Sequence, residues 1–178
     1  DLILLDVAQF LEKARKKDDP YELIAREVGK EKAQKIKEMK ITGIDVSRED
    51  ERFYPGERLA SHVLGFVGYS GSDLNGRYGL ERFYESFLAP TNNKTSNIVT
   101  TIEPQVQQFL EDSLQKTKEK WNAVSAGAII VNPKTGEILA MAAKPDFGPN
   151  NYRVENNLGV FVNPLVENIF EMCSVLKP

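Results

Sequence analysis

The sequence predicts an α+β fold: a helical and mixed first part, then a helix and a β-hairpin. Three observations carry that prediction. Apolar residues recur at helical spacing through positions 1–40. A strong amphipathic segment follows Glu103-Pro104. Two strand-like runs then flank the turn sequence Pro133-Lys134-Thr135-Gly136. Helices and strands that segregate along the chain in this way belong to the α+β class.

Composition narrows the function. The chain has 178 residues, enough for one large or two small domains. Its 23 Lys and Arg against 26 Asp and Glu give a net charge of −3, so no nucleic-acid partner is expected. A hydrophobic fraction of 41% supports a packed core. One cysteine excludes an internal disulfide and a cysteine-rich zinc site. One histidine excludes a multi-histidine metal site and most histidine-based triads. No metal or cofactor is expected. No apolar run approaches the roughly 18–20 residues that span a bilayer, and no signal peptide is visible. The chain opens on Asp1 and stops at Pro178, directly after Lys177; both ends look cut.

The elements follow in order. Leu4, Val7, Ala8, Leu11 and Ala14 define a first helix, with Arg15-Lys16-Lys17 at its cation-favouring end. Asp19-Pro20 reads as a helix start, with Tyr21, Ile24, Ala25 and Val28 on one face and Gly29 as the stop. A third short helix carries Ala33 and Ile36. Ile44 and Val46 alternate with polar residues as in a strand, and Pro55-Gly56 marks a turn. The glycine-rich stretch from Ser61 to Gly79 lacks the lysine and spacing of a phosphate loop. Leu80 to Leu88 reads as one helix with Leu80, Phe83, Phe87 and Leu88 inward. Ala89 to Asn97 is polar and reads as a linker or domain boundary; its sequon Asn93-Lys94-Thr95 is taken as chance. The helix after Glu103-Pro104 places Val106, Phe109, Leu110, Leu114 and Trp121 on one stripe. Ala126 to Asn132 reads as a buried strand and Glu137 to Ala143 as its hairpin partner. A looping segment runs from Lys144 to Asn163.

The chemistry lies at the end of the chain, where Ser174-Val175-Leu176-Lys177 matches S-x-x-K. At a helix start, positions i and i+3 share a face, so the spacing puts an amine beside a hydroxyl. A lysine with a depressed pKa can take the serine proton, and free helix N–H groups can hold an oxyanion. That is the machinery of acyl transfer through a serine ester. Ser113-Leu114-Gln115-Lys116 also fits, but lies mid-helix, where a serine hydroxyl turns back to the i−4 carbonyl. Lys134-Thr135-Gly136 spells K-T-G, yet precedes Ser174 and occupies a turn. It is read as a decoy. Cys173 stands four residues before Lys177 and is the alternative nucleophile.

Several ordered blocks resemble the class B penicillin-binding proteins, the bacterial peptidoglycan D,D-transpeptidases. Arg52-Phe53-Tyr54-Pro55-Gly56, Ala60 to Phe66 and Gly76-x-x-Gly79-Leu80-Glu81 look like that family's pedestal, or dimerisation, domain. Thr101-Ile102-Glu103 with Gln105 and Gln108 is similar to the opening of its transpeptidase domain. Thr135 to Met141, Pro145-x-Phe147-x-Pro149-Asn150, and Asn163 to Pro178 look like its first hairpin, the loop beyond, and the nucleophile segment. Met172-Cys173 stands where the family commonly has Pro-Gly or Met-Gly before the serine.

The resemblance implies a pedestal over 1–97 and the N-terminal portion of a transpeptidase domain over 98–178, truncated after S-x-x-K. It implies Ser174 as the acylated nucleophile and Lys177 as its general base. Peptidoglycan stem peptides ending in D-Ala-D-Ala would be the substrate, with β-lactams as mimics. The pedestal would touch a membrane glycosyltransferase partner, and a membrane anchor would lie upstream of Asp1, on the extracytoplasmic face of a bacterial membrane. The fragment itself is expected to be inactive, lacking S-x-N and the true K-T-G. His62 and Glu81 are expected to be structural, with Arg52 as a partner for Glu81. The rival readings are a non-catalytic interaction module of the cell-wall machinery, and a β-lactamase or β-lactam sensor.

Overall fold

The computed structural model describes residues 6–16, 21–25, 28–48, 52–70, 73–89 and 96–169. The chain divides into two compact units, Asp1–Asp50 and Glu51–Pro178. In the first unit, helix α1 spans Val7–Ala14 and α2 spans Lys30–Glu38. The segment Tyr21–Ala25, expected to be helical, has no regular structure. Tyr21 is 89% exposed, and a short helix without packing does not hold itself together. The Leu23 carbonyl instead accepts from Lys13 Nζ at 2.9 Å. Gly29 does mark a helix boundary, but as the N-cap of α2 rather than the stop of a preceding helix. Ile44 and Val46 form no strand. Among the described residues the first unit contains no strand to pair with them, and Gly43 at φ 84° turns the chain so that Ile44 N–H donates to the Ile41 carbonyl. Among the described residues no helix is long and apolar enough to cross a membrane.

The second unit begins with the turns around Pro55-Gly56 and helix α3, Ser61–Leu64. Strands β1, Val67–Ser70, and β2, Asp73–Gly76, pair antiparallel. Helices α4, Gly79–Phe83, and α5, Glu85–Leu88, replace the single helix expected there. They break at Tyr84, whose φ −105° and ψ 24° are not helical. The register also differs from the apolar pattern: Glu81 is the buried residue and Phe83 is 79% exposed. The glycines between are a chain crossing. Gly65 and Gly79 both have positive φ, and a Cβ on Gly65 would lie 1.8 Å from the Tyr78 carbonyl oxygen.

Helix α6, Pro104–Lys120, starts as expected, with Glu103 at its N-cap and proline in its first turn. Strands β3, Ala126–Val131, and β4, Ile138–Lys144, form the expected hairpin, with Gly136 at φ 79° in the turn. The buried stripe of α6 holds Leu110 and Leu114 against Ala140 and Ala142. Phe109 and Trp121, placed on that stripe by the sequence pattern, are 70% and 71% exposed. Strand β3 is not buried on both faces: Ala126, Ala128 and Ile130 pack toward α6, while Ile129 and Val131 are exposed. A single covering helix hides only one face of a pleated strand.

The chain leaves β4 through a cis Lys144–Pro145 bond into two 3₁₀ helices, Pro149–Val154 and Leu158–Phe161, and helix α7, Pro164–Glu167. An aromatic core of Tyr54, Phe66, Phe147 and Phe161 joins this loop to the region before α4. Phe66 stacks on Tyr152 at 4.4 Å and meets Phe161 edge-on at 4.8 Å.

Candidate functional site

Ser174, Lys177 and Cys173 lie outside the described residues. What the structure describes is the scaffold that leads to them. The motif blocks that are far apart in sequence meet there. Asn150 clips the backbone of Tyr54: its Oδ1 accepts from Tyr54 N–H and its Nδ2 donates to the Tyr54 carbonyl, both at 2.9 Å. Arg58 donates to Asp146 from Nε at 3.1 Å and from its terminal nitrogen at 2.7 Å. Asp146 also pairs with Lys144, whose Nζ lies 3.9 Å from Glu111. Glu111 Oε1 accepts from Ala60 N–H at 2.8 Å, fixing a residue held at φ 55°. Burial pushes the Asp146 carboxyl up, but hydrogen bonds from Lys144 and Arg58 outweigh it and hold the group below its ordinary value.

The same network terminates the sheet. Gln107, 0% exposed, accepts from Met141 N–H and donates to the Met141 carbonyl, each at 2.9 Å, and its remaining N–H donates to Glu111 at 2.8 Å. Glu103 N–H and the Thr101 hydroxyl reach the Leu139 and Ile138 carbonyls on the same edge. The glutamines singled out from the sequence, Gln105 and Gln108, are exposed; Gln108 pairs with Asp112 on the surface. Gln107 and Glu111 were missed because they are polar. Their spacing with Leu110 and Leu114 places all four on one helix face, and that was the available signal.

Asn163 opens the sequence block that contains Ser174. Its Oδ1 accepts from Leu165 N–H at 3.1 Å and its backbone N–H donates to Glu167 at 3.3 Å, a reciprocal cap at the start of α7. Its Nδ2 faces Met141 Sδ at 3.4 Å. A cleft of about 420 Å³ opens beside it, lined by His62, Tyr78, Leu80, Phe83, Val166 and Glu167 among others.

The other sequence candidates lie in helices, a turn and the buried core of the described residues. Ser113 Oγ donates to the Phe109 carbonyl at 2.7 Å. Lys134, Thr135 and Gly136 lie exposed in the hairpin turn. His62 is buried, its Nε2–H donates to the Val160 carbonyl at 2.9 Å, and its ring meets Phe147 edge-on. Burial lowers the His62 pKa, with weaker opposition from that carbonyl and the charges of Asp146 and Glu111. Glu81 accepts from Arg52 Nε at 2.8 Å and from the Tyr54 hydroxyl at 3.2 Å. Burial and the neighbouring Glu81 raise the Tyr54 phenol well above its ordinary range. Among the described residues no three His, Cys, Asp or Glu side chains are grouped to hold a metal ion.

Comparison with known proteins fits this arrangement. The family model for the penicillin-binding protein dimerisation domain matches residues 3–120, and that for the penicillin-binding protein transpeptidase domain matches residues 126–178. The chain belongs to the class B penicillin-binding proteins. It is 30% identical over 151 residues to stage V sporulation protein D of Bacillus subtilis, covering 72% of this chain and 23% of that protein. It is 27% identical over 176 residues to the peptidoglycan D,D-transpeptidase FtsI of Escherichia coli K12, covering 87% and 29%. It is 29% identical over 199 residues to penicillin-binding protein PbpB of Mycobacterium tuberculosis, covering 97% and 28%. The chain thus spans between 23% and 29% of the length of these relatives.

Proposed function

We propose that the chain forms the pedestal and the nucleophile-bearing opening of a peptidoglycan D,D-transpeptidase. One observation carries this reading: the transpeptidase match runs through Ser174-Val175-Leu176-Lys177, behind a dimerisation-domain match. The domain boundary falls at 97/98, with 1–97 as pedestal. The dimerisation match continues to residue 120, but α6 buries its stripe on β4, which favours grouping it with the hairpin.

Ser174 is the nucleophile and Lys177 the base. The Lys177 amine takes the Ser174 hydroxyl proton as the oxygen attacks the carbonyl carbon between the two D-Ala residues of a stem peptide. The C–N bond breaks, the same proton passes to the departing D-Ala amine, and an acyl-serine ester remains. An acceptor amine of a neighbouring stem peptide then attacks the ester and releases Ser174. A β-lactam enters the same first step, and its ring nitrogen stays tethered to the acyl group. The enzyme works at the extracytoplasmic face of a bacterial membrane, anchored upstream, with its pedestal against a membrane glycosyltransferase.

Fluorescent penicillin added to the full-length protein, followed by peptide mapping, tests this. Label on the Ser174 peptide, lost in Ser174→Ala, is expected. Label that persists in that variant, or that maps to Cys173, overturns the assignment. No label at all favours the interaction-module reading, and rapid turnover of the label favours a β-lactamase.

A further inference from the structure

Helix α2 carries Lys30, Lys32, Lys35 and Lys37, and Lys40 follows its end. It buries none of its residues, and no described residue of the first unit is buried. Among the described residues none of these ammonium groups has a carboxylate or hydrogen-bond partner. The charges are sorted by face, because residues three and four apart are neighbours on a helix. Gln34 donates to Glu38 at 2.9 Å, and Glu31 lies one turn before Gln34, so these three share one side. Ala33 and Ile36, the only residues of α2 that are not exposed, share another. Lys30 stands three residues before Ala33, Lys37 four after it, and Lys32 four before Ile36. Lysines therefore border the apolar stripe, and both glutamates lie away from it. Directly after the helix, Met39, Ile41 and Ile44 are 59%, 45% and 37% exposed.

We propose that α2 lies on a bilayer surface bearing anionic headgroups, with Ile36 and Met39 entering the apolar boundary and Lys30, Lys32 and Lys37 reaching the phosphates. An acidic protein face would meet the lysines, but would have no use for the apolar residues between them. A bilayer is anionic at its surface and apolar just beneath, which matches both. Lysine suits such a border, because its stem covers apolar surface while its head stays in water. The upstream membrane anchor of the proposed function would hold the helix close to such a surface, so that a weak affinity suffices. The inference rests on that reading only for this proximity.

The test is co-sedimentation of the chain Asp1–Pro178 with lipid vesicles. It involves neither penicillin nor Ser174, so its outcome is separate from that of the labelling experiment. Vesicles of phosphatidylcholine with about a quarter phosphatidylglycerol are expected to bind the chain roughly tenfold or more tightly than pure phosphatidylcholine. Raising the salt from about 0.05 M to about 0.5 M should release most of it, because screening shortens the reach of the charges. Lys32→Ala with Lys37→Ala should weaken binding to the anionic vesicles by roughly tenfold or more. Lys116→Ala with Lys134→Ala makes the same change in net charge at exposed lysines of the second unit, and should leave binding unchanged. Ile36→Ser should weaken binding several-fold with no change in charge. Met39→Ser, at an exposed position, serves if Ile36→Ser alters the helical circular dichroism. Absence of binding to the anionic vesicles, equal binding to neutral ones, or equal losses from the two lysine pairs overturns the proposal. Parental binding in both serine variants overturns the bilayer as the occupant and points to an acidic protein instead.

Discussion

The side-chain amide of Gln107 is bonded to both backbone polar groups of Met141, accepting from the N–H and donating to the carbonyl at 2.9 Å. It does for β4 what a neighbouring strand would do. Gln107→Leu would leave both groups buried and unpaired, and is expected to cost about 3 kcal/mol in urea unfolding. Gln107→Glu keeps the shape but places a second carboxyl against Glu111. That new acid should have a raised pKa, so its folded form holds a proton that the unfolded chain releases. The deficit relative to the parent should therefore shrink as pH falls toward 5. A deficit independent of pH would contradict the amide's role.

Tyr54 offers a similar test. Its hydroxyl accepts from Val67 N–H at 2.9 Å and donates to Glu81 at 3.2 Å. Tyr54→Phe keeps the ring in the aromatic core and removes only these bonds. A loss of about 1–3 kcal/mol is expected, because the Val67 N–H and one Glu81 oxygen lose a partner. A variant within about 0.5 kcal/mol of the parent would show that the hydroxyl is dispensable.

The crossing at Gly65 and Gly79 allows no side chain. A Cβ on Gly79 would come within 2.5 Å of the Gly65 nitrogen and the Val63 carbonyl oxygen. Backbone cannot move aside as a flexible side chain can, and the positive φ adds strain. Gly65→Ala and Gly79→Ala should each destabilise the second unit by at least about 3 kcal/mol, read as loss of the cooperative thermal transition. Gly136, also at positive φ but with open space around it, should tolerate alanine at a cost of about 1 kcal/mol.

Acid should unfold the second unit in two stages. Burial holds the His62 pKa below its ordinary 6.5. The unfolded chain therefore binds the proton more readily in the window below about 6.5, and stability falls as pH drops through it. Asp146 is held below its ordinary value by Lys144 and Arg58 despite burial. Its contribution is present above about 3.9 and lost below. His62→Gln should flatten the first slope and Asp146→Asn the second, as measured by urea midpoints from pH 8 to 3. An unchanged first slope in His62→Gln would assign that stage to another group.

Features with local causes could be read from the sequence. Proline after Glu103 starts α6, Gly136 turns the hairpin, and Ser113 bonds back within its own helix. Features with distant causes could not. Ile44 and Val46 have a strand's alternation, but among the described residues their unit holds no strand to pair with. Phe83 faces outward because Glu81, not the apolar pattern, sets the helix register by reaching Arg52 and Tyr54. Gln107 and Glu111 are buried because their partners are a strand edge and Ala60. The candidate site divides the same way. Ser174 and Lys177 stand out by spacing, while Asn163 has meaning only beside Met141 and Leu165.

The clamp that joins Ala60, Glu111, Lys144, Asp146 and Arg58 has a practical consequence for dissecting the protein. A polypeptide divided in the polar stretch before residue 98 would send Arg58 and Ala60 away with one piece, and Glu111, Lys144 and Asp146 with the other. Each piece would also expose half of the aromatic core. Expressed apart, the two should be insoluble or unstructured; co-expressed, they should associate and co-purify. The proposed boundary at 97/98 lies inside the second unit, so a border of sequence families there is not a border of folding.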